Sequence, residues 1–361
     1  MNAFSLTIPR TIKQALDELT TPKGGPGKLK AGGIDLLDLL KEGIEQPGRL
    51  INIRRLDEAP QALHEIGEVK ADAIPEGVWR LLPGSNDGSP PPRRDCLRIG
   101  SLATLAQVAA HPLLASKVPA LTESAADIAT PQIRQAATVG GNLLQRPRCW
   151  YFRSSEYQCA KKGGSVCFAR DGENDFHAIF DNQVCCAVHP SGTAVALTAL
   201  DAILSISSPQ GDKFVRLSSF LVSPTQPGGA IGRENRLEAD MMIHAIWIPS
   251  PGPGERSLYR KVKQKQSFDW PLADVAISAR RKPTGNKELE AVRIILGAVA
   301  PVPHRARSAE ALLLQSPSLD AERLRKIGQA ALTGAIPLSR NGYKLPLVSG
   351  LVQQAIAELL S

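Results

Sequence analysis

Thr138-Val139-Gly140-Gly141-Asn142-Leu143-Leu144-Gln145-Arg146 is the stretch on which the fold reading turns. Adjacent glycines give a backbone that can take positive φ or approach a ligand closely. Thr138 and Asn142 flank them with side chains that hydrogen-bond polar groups. Four cysteines follow at once, spaced C-x9-C-x7-C-x17-C: Cys149, Cys159, Cys167 and Cys185. The residues between them, such as Arg153-Ser154-Ser155-Glu156-Tyr157 and Ala160-Lys161-Lys162-Gly163-Gly164, have loop composition. Thiolates gathered on one irregular loop beside a ligand-binding turn read as two redox centres side by side. Spacing alone leaves three options open: an iron–sulfur cluster, a zinc site, and unliganded or disulfide-paired thiols. Zinc more usually shows closely spaced cysteine pairs. Cys186 abuts Cys185, so only one of the two can easily face a shared ion. Cys96 is remote and reads as a small buried residue. His177 and His189 lie near the loop and read as structural.

A second glycine turn lies upstream, in Lys28-Leu29-Lys30-Ala31-Gly32-Gly33-Ile34-Asp35-Leu36-Leu37-Asp38-Leu39-Leu40. Successive backbone N–H groups there can form a nest for phosphate oxygens, with a helix N-terminus just behind. The dinucleotide fingerprint G-x-G-x-x-G is absent. Two such turns can grip opposite ends of one diphosphate cofactor. No G-x-S-x-G, H-E-x-x-H or P-loop occurs, so a hydrolytic or nucleotide-triphosphate reading has no motif behind it.

With 361 residues the chain is long enough for two or three domains with real cores. Aromatics are only 4%, so those cores must be mostly aliphatic. The net charge is +8, yet the basic residues are scattered pairs such as Arg54-Arg55 and Arg280-Arg281. Nucleic-acid binding needs basic residues clustered on one face, so none is expected. An acidic protein partner or an anionic cofactor suits the charge. The N-terminus lacks a basic-then-apolar leader and a twin-arginine start, and no apolar run is long enough for a membrane span. The expected place is cytoplasmic, or periplasmic by export with a signal-bearing partner. Five of the six cysteines crowd the 149–186 stretch of a chain that is neither small nor visibly secreted, which favours metal over disulfides.

Along the chain, residues 1–55 read as a small α/β unit: a strand near 4–8, a helix over 11–19 capped by Thr11, the glycine turn, and a strand over 49–54. Residues 60–100 carry weaker patterns, with a loop at Pro90-Pro91-Pro92 and a strand at 97–99. Helical patterns cover 104–110, 112–116 and 121–129. Regular structure resumes at 194–200 and 202–207, and a strand over 241–248 ends at Pro249. Pro249-Ser250-Pro251-Gly252-Pro253-Gly254 is the clearest linker. Strands over 257–263, 273–280 and 292–296 then alternate with helices over 309–314, 319–331 and 347–360.

Three runs resemble, in order and over nearly the whole chain, the FAD-binding medium subunit of the xanthine dehydrogenase and carbon monoxide dehydrogenase family of molybdenum hydroxylases. They are Lys30-Ala31-Gly32-Gly33-Ile34-Asp35-Leu36-Leu37, Ala137-Thr138-Val139-Gly140-Gly141-Asn142-Leu143-Leu144, and Leu296-Gly297-Ala298-Val299-Ala300-Pro301-Val302-Pro303-His304-Arg305-Ala306. The runs at 145–153 and 174–180 resemble a narrower branch that includes the periplasmic aldehyde oxidoreductase flavin subunit. A cysteine loop with a 4Fe-4S cluster also occurs in the 4-hydroxybenzoyl-CoA reductase flavin subunit. The resemblance implies an α+β fold. A vanillyl-alcohol-oxidase (PCMH)-type FAD-binding domain of two α/β subdomains would cover 1–250. It would contain a small N-terminal subdomain (1–55) and a cysteine-rich iron–sulfur insertion (147–188). A CO-dehydrogenase-flavoprotein-like C-terminal domain with a three-stranded antiparallel sheet and helices would cover 255–361.

Carried over by position, the resemblance implies that Lys30, Ala31, Gly32, Gly33, Ile34, Asp35, Leu36 and Leu37 hold the FAD diphosphate through backbone N–H groups. Thr138, Gly141, Asn142 and Gln145 would contribute from the other side. Thr104 is expected to touch the cofactor, and Ile243 and Lys263 to lie near the flavin. Cys149, Cys159, Cys167 and Cys185 would ligate the 4Fe-4S cluster. Cys185 is preferred to Cys186 because the family reads Cys-x-Ala-x-His-Pro, matching Cys185-Cys186-Ala187-Val188-His189-Pro190. The family commonly has an aspartate two residues after that proline, where this chain has Gly192. Ser191 or Thr193 would take over its contact.

The function so implied is an electron-transfer subunit of an aldehyde oxidoreductase or xanthine dehydrogenase type complex. A large subunit with a molybdenum cofactor would oxidise the substrate. A small 2Fe-2S subunit would pass electrons to the FAD here and on to an external acceptor. No side chain of this chain need act as acid or base on the organic substrate. Two rivals differ in class: a self-sufficient flavin oxidase of the vanillyl-alcohol-oxidase type, and a zinc-stapled scaffold subunit without flavin.

Overall fold

Three short parallel strands open the chain in the computed structural model, which describes residues 2–21, 25–56, 63–84, 91–283, 288–315 and 320–361. Pro90 of the expected proline loop, and Leu319 of the expected helix over 319–331, lie outside the described residues. The strands are β1 (Ser5–Thr7), β2 (Gly27–Lys30) and β3 (Arg49–Asn52), in spatial order β1-β3-β2. Parallel neighbours require crossovers, and helices Ile12–Thr20 and Ile34–Lys41 are those crossovers. Thr11 starts the first of them with a capping box: its hydroxyl accepts from the Gln14 N–H at 3.1 Å, and Gln14 Oε1 accepts the Thr11 N–H at 3.3 Å.

The second sheet has five strands in order β4-β5-β8-β6-β7, every neighbouring pair antiparallel. They are β4 (Ile66–Val69), β5 (Cys96–Gly100), β6 (Ile203–Ser208), β7 (Gly211–Arg216) and β8 (Met242–Pro249). The strand last in sequence, β8, lies in the centre, where its apolar residues are covered on both sides. Short helices between 105 and 143, with helix Gly192–Ala199, pack on this sheet around Leu97, Val108, Leu121, Leu143, Leu197, Phe220 and Ile246. Each such side chain contributes about 1.5–3 kcal/mol by leaving water. The helix expected over 121–129 instead spans Pro119–Ala126. Ala129 takes a left-handed φ of 48°, and Thr130 caps a new helix, Pro131–Ala136, by accepting from Ile133 N at 3.3 Å. Alanine-rich sequence favours helix on both sides of that break, so propensity alone does not mark it.

The third sheet is antiparallel, in order β12-β11-β10-β9. The long strands are β9 (Glu255–Lys263), β10 (Pro271–Arg281) and β11 (Leu289–Gly297), and β12 (His304–Arg305) adds a two-residue edge. Alternation along β10 decides what each face meets. Ala273, Val275, Ile277 and Ala279 face helices Arg307–Leu314, Ala321–Ala330 and Lys344–Leu360. Ala276 of β10, Tyr259 of β9 and Ile295 of β11 join the core of the five-stranded sheet and its helices instead. The third sheet is therefore sandwiched, and its inner face presses on helix Gly192–Ala199.

Candidate functional site

A cleft of about 880 Å³ lies between the three-stranded sheet and the five-stranded unit. That volume falls in the range of roughly 300–1,000 Å³ typical of cofactor sites. Residues of both glycine pairs line it, but the second pair lies in a short helix, Val139–Leu143, rather than in the expected turn, and Thr138 caps that helix by accepting from the Gly141 N–H at 3.1 Å. Gly33 has φ 81°, which L side chains rarely adopt. Gly32 is required by space: a Cβ there would stand 2.0 Å from the Ala136 carbonyl oxygen. The turn at 31–34 is thus pressed against the segment just before Thr138, which brings the two glycine pairs onto one cleft.

Of the residues expected at the site, Lys30, Ala31, Gly32, Gly33, Ile34, Asp35, Leu36, Thr138, Gly141, Asn142, Gln145 and Ile243 line this cleft. Four lie outside its wall. Leu37 points outward and is 37% exposed. Thr104 caps helix Leu105–Ala110 and bridges to Thr138 through the backbone. Ser191 is buried behind the wall, donating from its hydroxyl to Asn142 Oδ1 at 2.6 Å. Lys263 pairs with Asp127 at 2.8 Å. Burial, and secondarily Arg54, holds the Lys30 ammonium below the usual lysine range.

Asp35 lines the cleft from the first turn of helix Ile34–Lys41, yet its carboxylate faces the cysteine loop. Oδ1 accepts from Arg153 at 2.7 Å and pairs with Arg148 at 2.8 Å, while Oδ2 accepts the Arg146 N–H at 2.9 Å. The phosphate-type turn and the cysteine loop are therefore clamped through one carboxylate. A second connection runs through Glu234, which pairs with Arg146 at 3.2 Å and with Lys161 at 2.7 Å. Arg146 lines the cleft, and Lys161 lines the cysteine cavity described next.

Cys149, Cys159, Cys167 and Cys185 line one small cavity, walled otherwise by residues such as Phe152, Phe168 and Ile231. All six cysteines are free thiols. Among the described residues, no three His, Cys, Asp or Glu side chains converge closely enough for a single metal ion. Four thiols around a shared space suit a multi-iron cluster, which needs one thiolate per corner. Cys186 does not line the cavity: its Sγ donates to the Asn182 carbonyl at 3.5 Å, and its thiol is hydrogen-bonded with that of Cys167. Cys96 is fully buried in β5. His177 Nε2 stands 3.2 Å from Cys149 Sγ, and burial holds its imidazole down at about 4, in the neutral form. Burial pushes the Cys149 thiol up to about 12 and the Cys185 thiol upward, the latter against the opposing pull of Lys161. A cation that binds them must release their protons.

Residues 92–251 match the FAD binding domain in molybdopterin dehydrogenase, and residues 257–359 match the CO dehydrogenase flavoprotein C-terminal domain. The FAD-binding subunit of the aldehyde oxidoreductase of Escherichia coli (strain K12) is 31% identical over 361 residues, covering 99% of this chain and 98% of the relative. The chain belongs to the FAD-binding medium-subunit family of the xanthine and carbon monoxide dehydrogenases. Another relative, the xanthine dehydrogenase FAD-binding subunit of Escherichia coli O157:H7, is 25% identical over 340 residues, or 92% of this chain and 89% of the relative. The fold matches that in carbon monoxide dehydrogenase from Hydrogenophaga pseudoflava, with a TM-score of 0.69 at 23% identity over 99% of this chain and 97% of that one. This is a family of oxidoreductase subunits, and the α+β expectation, including the antiparallel C-terminal sheet, holds.

For this medium-subunit chain, several cleft residues escaped the sequence reading. Ile128, Ala129 and Ile133 line the cleft around the helix break at Thr130-Pro131, and that dipeptide was a readable helix-start signal. Trp270 reaches the cleft from the loop between β9 and β10, with the Arg148 guanidinium 4.7 Å from its ring centroid. Glu234 sits in a stretch without periodic pattern, where nothing local marks a bridging carboxylate. Among the described residues no helix is long and apolar enough to cross a membrane.

Proposed function

We propose that the chain holds FAD in the 880 Å³ cleft and a 4Fe-4S cluster on Cys149, Cys159, Cys167 and Cys185. It serves as the electron-transfer subunit of a molybdenum-cofactor complex acting on an aldehyde or related substrate. Electrons arrive from a 2Fe-2S partner and leave to an external acceptor. The observation that carries this reading is the Asp35 carboxylate, which joins the first turn of a cleft-lining helix to the loop bearing the cysteine cavity. We read residues 1–250 as the FAD-binding domain, with the cysteine loop as an insertion at 147–188, and 255–361 as the C-terminal domain.

The residues fit both groups. Glycine at 32 lets the turn close onto the Ala136 carbonyl, so that its backbone lines the same cleft as Thr138 and Asn142 and can offer N–H groups there. Lys30 and Arg146 line the cleft with positive charge suited to a diphosphate. The cysteine cavity offers four sulfur donors without a single-ion geometry. When bound, FAD accepts electrons singly and releases them in pairs, and the cluster relays them one at a time. The chain's own residues bind, orient and insulate: buried Phe152 shields the thiols on one side, and Arg146, Arg148 and Arg153 fix the loop on Asp35. Low-temperature electron paramagnetic resonance of the dithionite-reduced full chain tests the reading. A reduced-cluster signal that disappears in Cys159→Ser is expected. A silent spectrum from FAD-replete protein would overturn the cluster assignment.

A further inference from the structure

One wall of the cleft is backed by the start of a helix at which space demands a glycine. Gly192 opens helix Gly192–Ala199, and Ser191 caps it by accepting from the Ala194 N–H at 3.0 Å. Ser191 and Thr193 each donate from the hydroxyl to Asn142 Oδ1 at 2.6 Å, and Asn142 lines the cleft. The helix start therefore holds one wall of the site. A Cβ at 192 would lie 2.9 Å from the Tyr259 hydroxyl and 3.7 Å from Ile128 Cδ1, and Ile128 also lines the cleft. The glycine φ is ordinary, so space rather than conformation excludes a side chain there.

What fills that space comes from the C-terminal sheet. Tyr259 of β9 is 3% exposed, and its hydroxyl donates to Asp274 Oδ2 of β10 at 2.7 Å. Asp274 is 2% exposed and, among the described residues, its Oδ1 has no hydrogen-bond partner. That oxygen lies against Gly297 of β11, where a Cβ would stand 2.2 Å away. Two glycines thus clear room for one tyrosine–aspartate pair, Gly192 for the hydroxyl and Gly297 for the carboxylate. A buried carboxylate is retained at a cost of several kcal/mol unless it is well satisfied, so a half-satisfied one marks a constraint other than packing.

We propose that Tyr259 and Asp274 are positioning residues for the cleft: they seat the start of helix Gly192–Ala199, and through Ser191 and Thr193 fix Asn142. The C-terminal sheet thereby becomes part of the cofactor site although Tyr259 and Asp274 do not line it. This inference rests on the reading that the cleft holds FAD.

The test uses the full chain, stripped of FAD and titrated back, with visible-region circular dichroism of the bound flavin as a second readout. Tyr259→Phe keeps the ring and removes the hydroxyl, and is expected to raise the FAD dissociation constant about tenfold, the loss of one hydrogen bond to a buried charge. It should also change the flavin dichroism, which a merely less stable scaffold would not. Gly192→Ala alone meets the hydroxyl and should weaken FAD. In the Tyr259→Phe background the next nearest ring atom stands 3.6 Å from a residue-192 Cβ, ordinary contact. There Gly192→Ala should cost no affinity beyond that of Tyr259→Phe, so the two losses do not add. Unchanged affinity and dichroism in Tyr259→Phe, or simply additive losses in the double variant, overturn the proposal. If Gly192→Ala does not fold, Tyr259→Phe alone decides. Wild-type protein that binds no FAD would instead overturn the cleft assignment itself.

Discussion

Asp35→Asn tests the clamp between the cleft and the cysteine loop. The carboxylate makes three bonds, to Arg153 at 2.7 Å, Arg148 at 2.8 Å and the Arg146 N–H at 2.9 Å. An asparagine keeps the shape, and its oxygen in the Oδ1 place can keep both arginine contacts, but its NH₂ then opposes the Arg146 N–H. One bond is therefore lost, and the two arginine contacts lose their anionic partner. The Asp35 side chain is 17% exposed, so the lost bond is taken at the low end for a charged group, about 1.5 kcal/mol, and each weakened arginine contact at about half of that. The sum, about 3 kcal/mol, corresponds to roughly a hundredfold change in local opening. Hydrogen exchange of the full chain reads this opening directly. Amides over 146–153 should lose about two orders of magnitude of protection, while helix Lys344–Leu360 stays unchanged. Exchange in 146–153 identical to wild type would refute the clamp.

Other changes isolate other parts. Cys159→Ser should lose iron yet keep much of its FAD, whereas Cys186→Ser should keep both; metal analysis and flavin absorbance on the same samples separate the two. Gly32→Ala drives a methyl to 2.0 Å from the Ala136 carbonyl, and should cost at least about 1–3 kcal/mol of strain and raise the FAD dissociation constant at least tenfold in a fluorescence titration. Lys161→Met removes a cation from the cysteine cavity and leaves Glu234 without it. Both effects disfavour the reduced, more negative cluster, so its midpoint potential should fall in a redox titration. Burial pushes Asp274 up to about 6, against the opposing influence of Tyr259, Lys261 and Lys344, with Asp127 adding to the rise. The folded state then binds more protons than the unfolded state between about pH 4 and 6. That contribution to stability is present below pH 4 and lost as pH rises through 6. Wild type should therefore lose stability relative to Asp274→Asn across that window, measured by denaturant unfolding at each pH.

The legible parts of the fold were those whose chemistry is local. The Gly32-Gly33 turn is legible because positive φ and close approach need glycine wherever the partner comes from, whereas Gly140 and Gly141 lie in a short helix, where the glycine at 140 answers to the Ser101 backbone against it. Strands β9, β10 and β11 were found because alternation survives without knowing what covers each face. Strand β4 and the helix Glu76–Trp79 were missed, being too short to show a period. The overrun past Ala126 arose because alanine and leucine favour helix without marking its end. At the site, the cysteine spacing was visible, but it could not show that the thiols surround a cavity rather than one ion. Arg146, Glu234 and Trp270 act through partners far away in sequence, and no local pattern announces such pairings. The need for glycine at 192 comes from Tyr259, on a strand distant in sequence.

The central claim is that two redox centres sit side by side on this one chain. Quantifying FAD, iron and acid-labile sulfide in a single preparation of the purified full chain tests it most directly. The account predicts about one FAD, four iron and four sulfide per chain. Stoichiometric zinc, or FAD with no iron after anaerobic purification and cluster reconstitution, would contradict it.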